Sequence, residues 1–151
     1  MKKYTFLLGL LLLSLFLKGQ EKGFKKGANS FFELNGGVAL IDAEFVFPGV
    51  SVLLGQTYVD ENNLVFEYEI GLAAPSIGTA KIGFGKKFNN TLVTMGLRPF
   101  PFNLYLQTTF GLGQRGYWLA SVEANPLGTE HRLSFQSAGL VTFGYRFHLG
   151  R

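Results

Sequence analysis

From about residue 31 onward the chain alternates apolar and polar positions. Near the C-terminus the pattern is strict. Val141, Phe143, Tyr145, Phe147 and Leu149 fall on one parity, and Thr142, Gly144, Arg146 and His148 on the other. A period of two marks a β-strand, because successive side chains point to opposite faces. The same reading predicts strands at about 31–40, 45–56, 64–73, 77–88, 91–98, 102–113 and 117–124. The last segment, 131–149, is either one long strand or two that break near Ser137-Ala-Gly139. That gives eight strands, or ten at most.

Turn chemistry separates these segments. Asp60-Glu-Asn-Asn63, Ala74-Pro75-Ser76, Asn89-Asn90, Pro99-Phe-Pro101, Gln114-Arg-Gly116 and Asn125-Pro-Leu-Gly128 all interrupt the alternation with residues that favour turns. The second strand is the least regular. Phe45 and Phe47 lie on one parity, and Val46, Val50, Val52 and Leu54 on the other, with Pro48-Gly49 between. Proline cannot donate a ladder hydrogen bond, so a bulge or a strand end is expected at Pro48-Gly49, and a bulge would bring both halves into one phase.

The two faces differ in chemistry. One carries bulky apolar groups, among them Phe66, Tyr68, Phe84, Leu106, Phe110, Trp118, Phe143, Tyr145 and Phe147. The other carries Gly, Thr, Ala and Asn together with Glu33, Glu67, Glu69, Lys81, Arg98, Gln107, Glu123 and Arg146. Eight strands enclose a space just wide enough for side chains, so the small and polar stripe fits inside and a ring of aromatics at every level would not. A Gly/Thr-rich exterior with sparse charge would also solubilise poorly. The fold class expected is therefore all-β: a closed antiparallel up-and-down transmembrane barrel with its apolar stripes toward lipid. A hairpin turning near Pro75 sets Glu69 opposite Lys81, and closure of the first strand on the last brings Glu33 near Arg146. In so narrow a lumen these charges fill and pin the interior and leave no selectivity lining of an open pore.

The N-terminus explains most of the net charge. Met1-Lys2-Lys3 precedes an apolar run at 4–17, too short for a spanning helix but right for a secretory signal, with Gly19 a small residue at the cleavage position. Residues 1–19 are read as a signal peptide, 20–30 as a charged periplasmic lead-in, and 31–151 as the barrel. Lys2, Lys3 and Lys18 belong to the leader. Without them, eleven of the fourteen basic residues face ten acidic ones, so the formal +4 gives no nucleic-acid footprint. The twenty glycines and sixteen phenylalanines in 151 residues suit a thin β wall with a greasy exterior. No cysteine is present, which removes disulfides, thiolate chemistry and a lipoprotein anchor.

On these features residues 31–151 resemble the small outer-membrane β-barrel proteins of Gram-negative bacteria, the OmpX/OmpA-barrel type. The resemblance rests on the leader, the dyad repeats and the aromatics Phe143, Tyr145 and Phe147 of the final strand. It implies a monomer whose partners are outer-membrane lipids and, through the C-terminal strand, the barrel-assembly machinery. Here His148-Leu-Gly-Arg151 follows the last Phe, and Leu149 keeps the apolar phase. The connections are short, which leaves little surface for a receptor role.

Catalytic chemistry is sparse. The histidines are His131 and His148. His131 lies three residues from Ser134, so on a strand the two point to opposite faces. No Gly-x-Ser-x-Gly elbow is present. The two histidines lack a nearby ligand cluster, so no metal or other cofactor is expected. The expectation is a non-enzymatic envelope protein. The competing readings are a soluble periplasmic β-barrel that binds a hydrophobic ligand and a lipid-modifying outer-membrane enzyme.

Overall fold

The computed structural model describes residues 26–42, 45–74, 76–111, 116–127 and 137–149. Among them eight strands follow in order: β1 (Gly27–Asp42), β2 (Phe45–Val59), β3 (Leu64–Ala74), β4 (Ile77–Phe88), β5 (Thr91–Phe100), β6 (Asn103–Phe110), β7 (Gly116–Ala124) and β8 (Gly139–His148). Each pairs antiparallel with its neighbours in sequence, and β8 pairs with β1 to close the barrel. The closed antiparallel up-and-down topology and the count of eight are as the alternation predicts. In the final segment β8 starts at Gly139, and residues 128–136 lie outside the described residues. The signal segment, His131 and Ser134 lie outside the described residues.

The turns follow from local chemistry. Between β2 and β3, the Leu64 N–H donates to the Asp60 side chain at 2.7 Å and the Asp60 N–H donates to the Leu64 carbonyl at 3.0 Å. Asn63 supplies the left-handed residue of that turn, and Asn89 does so between β4 and β5. Asparagine visits this region more readily than other non-glycine residues. At the opposite end, Ile77 takes φ 62° while the Gly78 N–H donates to the Ser76 carbonyl at 2.7 Å.

Two expectations need correction. The lead-in does not extend to residue 30. Gly27–Ser30 already belong to β1 and pair with Gln56–Val59. Nor is there a bulge at Pro48-Gly49. Pro48 sits opposite Val38 and Gly49 opposite Gly37 in unbroken register, and the irregularity lies between Leu40 and Asp42 on the partner strand. Val46, Val50, Val52 and Leu54 therefore share the outer face, and Phe47 shares the parity of buried Ser51 and Leu53. Pro48 is tolerated because β3 reaches only as far as Ala74, opposite Val50. Beyond that point β2 has a partner on one side only, and an edge position can spare a donor.

The exterior is apolar over most of its height. Ile70, Leu72, Phe84, Met95, Leu106, Val122 and Phe143 are each more than half exposed. The interior is polar through its middle. It becomes apolar toward the end where β1 starts and β8 finishes, where buried Val59, Val65, Leu92 and Tyr117 pack together.

Candidate functional site in the barrel interior

All eight polar residues anticipated for the interior are buried there. Strand alternation sends them inward, and the register stacks them into one connected network. Arg146 on β8 is its centre. Its guanidinium makes ion pairs with Glu33 on β1 at 2.6 Å and with Glu67 and Glu69 on β3 at 2.6 and 2.7 Å. Gln107 on β6 donates to Glu67 at 3.1 Å and to Glu69 at 3.4 Å, reaching the carboxylates from the far wall. Thr57 on β2 donates to Glu67 at 2.7 Å. Asn35 ties Glu33 to Ser51, donating to each at 2.7 and 3.0 Å.

A second cluster is centred on Glu123 of β7. Arg98 on β5 pairs with it at 2.7 Å and Lys81 on β4 at 3.3 Å. Lys81 also donates to Gln107 at 3.3 Å, so this amide joins the two clusters. The predicted register is correct in both places: Glu33 stands opposite Arg146, and Glu69 opposite Lys81. Only the first of these juxtapositions is an ion pair. The Lys81 ammonium reaches across to Glu123 and Glu69 turns to Arg146, because long side chains inside a narrow barrel can choose partners from other strands.

Apolar and aromatic side chains complete the interior, and parity alone did not single out all of them. The Phe31 ring lies 3.6 Å from the Arg146 guanidinium carbon, a cation–π contact in a water-excluded setting. Its far edge closes on Gly55, where a Cβ would collide with the ring. The Tyr105 ring has the Lys81 ammonium 5.3 Å from its centroid, and its hydroxyl comes against Gly83. Tyr117 meets His148 edge-on at 4.8 Å. Val65 and Leu92 share the parity of charged residues on their own strands, and Tyr105 that of Asn103 and Gln107, which was the available signal. Phe31 shares the parity of Glu33, and Tyr117 and Leu119 that of Glu123, so the same signal was present for them although their side chains are apolar.

The apolar set faces outward as anticipated. Tyr68, Phe84, Leu106 and Phe143 are exposed. Phe66, Phe110, Trp118, Tyr145 and Phe147 are half-buried. Part of that cover comes from neighbouring rings. Phe66 packs on Phe84 at 5.0 Å, and Trp118 stacks on Phe143 at 5.2 Å and meets Tyr145 edge-on at 5.0 Å. Tyr145 in turn meets Phe147 at 4.7 Å.

Among the described residues no group of His, Cys, Asp and Glu could hold a metal ion. The chemistry on offer is fixed charge held by fixed hydrogen bonds, with one end of the lumen closed by hydrocarbon. Comparison with protein-family models, with curated proteins and with solved structures finds nothing that matches this chain.

Proposed function

We propose that the chain is a small outer-membrane β-barrel protein of the OmpX/OmpA-barrel type, exported by residues 1–19 and serving a structural or interaction role. One observation carries this reading: the polarity is inverted. Charges and amides fill the centre, while Ile70, Leu72 and Phe84, each more than 60 % exposed, stand outside. A protein in water arranges these the other way round, and a contiguous apolar exterior of this extent belongs against another apolar phase. The dimensions support it. The outward residues of β3 run from Leu64 to Ala74. At ~3.3 Å per residue and a tilt of roughly 40°, they cover ~25 Å of height, the size of a lipid-facing band.

In this reading the barrel is a monomer without catalytic activity. Outer-membrane lipids surround it, and the barrel-assembly machinery reads its last strand. The filled centre argues against a wide pore. A soluble barrel with a hydrophobic ligand would need its greasy stripes inside, where Arg146 and its three carboxylates are found.

Fractionation tests the proposal. The expected result is recovery with the outer membrane, release by detergent, and faster gel migration before heating than after. Recovery without detergent would overturn it. Altered lipid A on expression, abolished by His131→Ala or Ser134→Ala, would favour a lipid-modifying enzyme instead.

A further inference from the structure

Among the described residues the charges inside the barrel do not balance. Four buried carboxylates among them, Glu33, Glu67, Glu69 and Glu123, face three buried cations, Lys81, Arg98 and Arg146. Nor is the excess spread evenly. Glu123 has two cations on one oxygen, whereas Glu33, Glu67 and Glu69 converge on a single guanidinium. A net charge held away from water is costly enough that proteins neutralise it.

Hydrogen bonding says where the compensating charge can go. Glu33 accepts from Asn35 on Oε1 and from Arg146 on Oε2. Glu67 accepts from Gln107 and Arg146 on Oε1 and from Thr57 and Arg146 on Oε2. All four of these oxygens already face donors, so an added proton or cation would meet a positive hydrogen. Glu69 differs. Its Oε1 accepts from Arg146 and Gln107, while its Oε2 is buried without a partner; the Oε2 of Glu123 is also buried without one, but that carboxylate already has two cations of its own.

We propose that Glu69 Oε2 is a binding site for one exchangeable monovalent positive charge, a proton or an alkali-metal ion, which brings the interior to neutrality. A proton from bulk forms one O–H bond there and displaces nothing, and an alkali ion associates without any bond breaking. Facing the site are Glu67 on its own strand, Glu33 on β1, Thr57 on β2, Lys81 on β4, Gln107 and the buried phenol of Tyr105 on β6, and Arg146 on β8. Arg98 on β5 and Glu123 on β7 complete the network from the remaining two strands. His148, Tyr117 and Lys87 lie toward the end where the chain enters the barrel. The site lies wholly in the interior, so its occupancy does not depend on what surrounds the barrel.

The test uses the full chain refolded in detergent micelles. The urea midpoint is followed from acid to alkaline pH, and in sodium, potassium and choline chloride at one ionic strength. If the charge is a proton, the midpoint falls as pH rises, because the folded state then holds more protons than the unfolded one. In the ion case the midpoint is instead lower in choline. Glu69→Gln keeps an acceptor for Arg146 and removes the negative charge. It should abolish the response that distinguishes the wild type while holding the midpoint at or above the wild-type value. Glu67→Gln should lower the midpoint, because Arg146, Thr57 and Gln107 lose a charged acceptor, and should weaken the response, because it removes the same excess charge. An infrared band of a protonated carboxyl that disappears in Glu69→Gln assigns the proton, and an ion response without that band assigns the alkali ion. Three results would overturn the proposal: a wild type indifferent to both pH and ion, a Glu69→Gln protein with the wild-type response, or a Glu69→Gln midpoint as low as that of Glu67→Gln. Any contribution from His148 is common to these proteins and cancels in the comparison.

Discussion

Glu33 and Arg146, 113 residues apart in the chain, stand directly opposite one another on the two strands that close the barrel, and the guanidinium donates two hydrogen bonds to one Glu33 oxygen at 2.9 and 2.6 Å. The same guanidinium reaches Glu67 and Glu69 on β3. The seam between first and last strand is thereby fastened to the middle of the sheet, by contacts that exist only when the barrel is closed.

Removing Arg146 should therefore be severe. Arg146→Met leaves three buried carboxylates without their cation, and breaking a buried pair from one side costs ~3–5 kcal/mol. The expected outcome is loss of the compact, heat-sensitive gel form. Arg146→Lys keeps the charge and loses the fork of donors, so it should fall between wild type and Arg146→Met in a urea titration.

Leu106 and Gln107 are neighbours on opposite faces of β6. Leu106 is exposed on the outside and Gln107 is buried in the network. In lipid vesicles Leu106→Arg should lose ~2–4 kcal/mol, the cost of a cation on the lipid face near mid-height. Gln107→Arg faces Glu67 and Glu69 and should be milder. Equal folding yields for the two would count against a bilayer around the barrel.

Close strand approach makes a separate prediction. A Cβ on Gly96 would collide with the Ile82 carbonyl across the β4–β5 ladder, whereas one on Gly36 would meet nothing within 4 Å. Gly96→Ala should cost on the order of 1–3 kcal/mol as the strands are forced apart. Gly36→Ala should be neutral or stabilising by up to ~1 kcal/mol, since alanine restricts the unfolded chain more than glycine does. The urea midpoints of the two variants should move in opposite directions or differ clearly in size.

Ile77 holds a left-handed backbone conformation although its side chain is β-branched and exposed. Such a residue carries ~1–2 kcal/mol of strain. Ile77→Asn or Ile77→Gly should raise the unfolding midpoint, provided that little contact is lost with the exposed side chain. A drop in the midpoint would show that the turn between β3 and β4 depends on that isoleucine.

Trp118 is the one tryptophan in the sequence and lies on the outer face against Phe143 and Tyr145. Its emission should shift to the blue when the protein enters bilayers and be quenched by lipids brominated along the acyl chain. Quenching by aqueous iodide instead would place this side of the barrel in water.

The sequence by itself determined which side chains share a face, because alternation is a property of each strand and needs no partner. That made the eight-stranded barrel legible, together with its interior residues from Glu33 to Arg146 and the opposition of Glu69 and Lys81. Who bonds to whom across the lumen emerges only in the closed barrel. Lys81 bonds to Glu123 and Glu69 to Arg146, because a closed barrel a few side chains wide brings non-adjacent walls within reach. The same closure sets Phe31 on Arg146 and leaves β2 straight through Pro48, since where β3 stops depends on how the strands are staggered and not on any local stretch of residues.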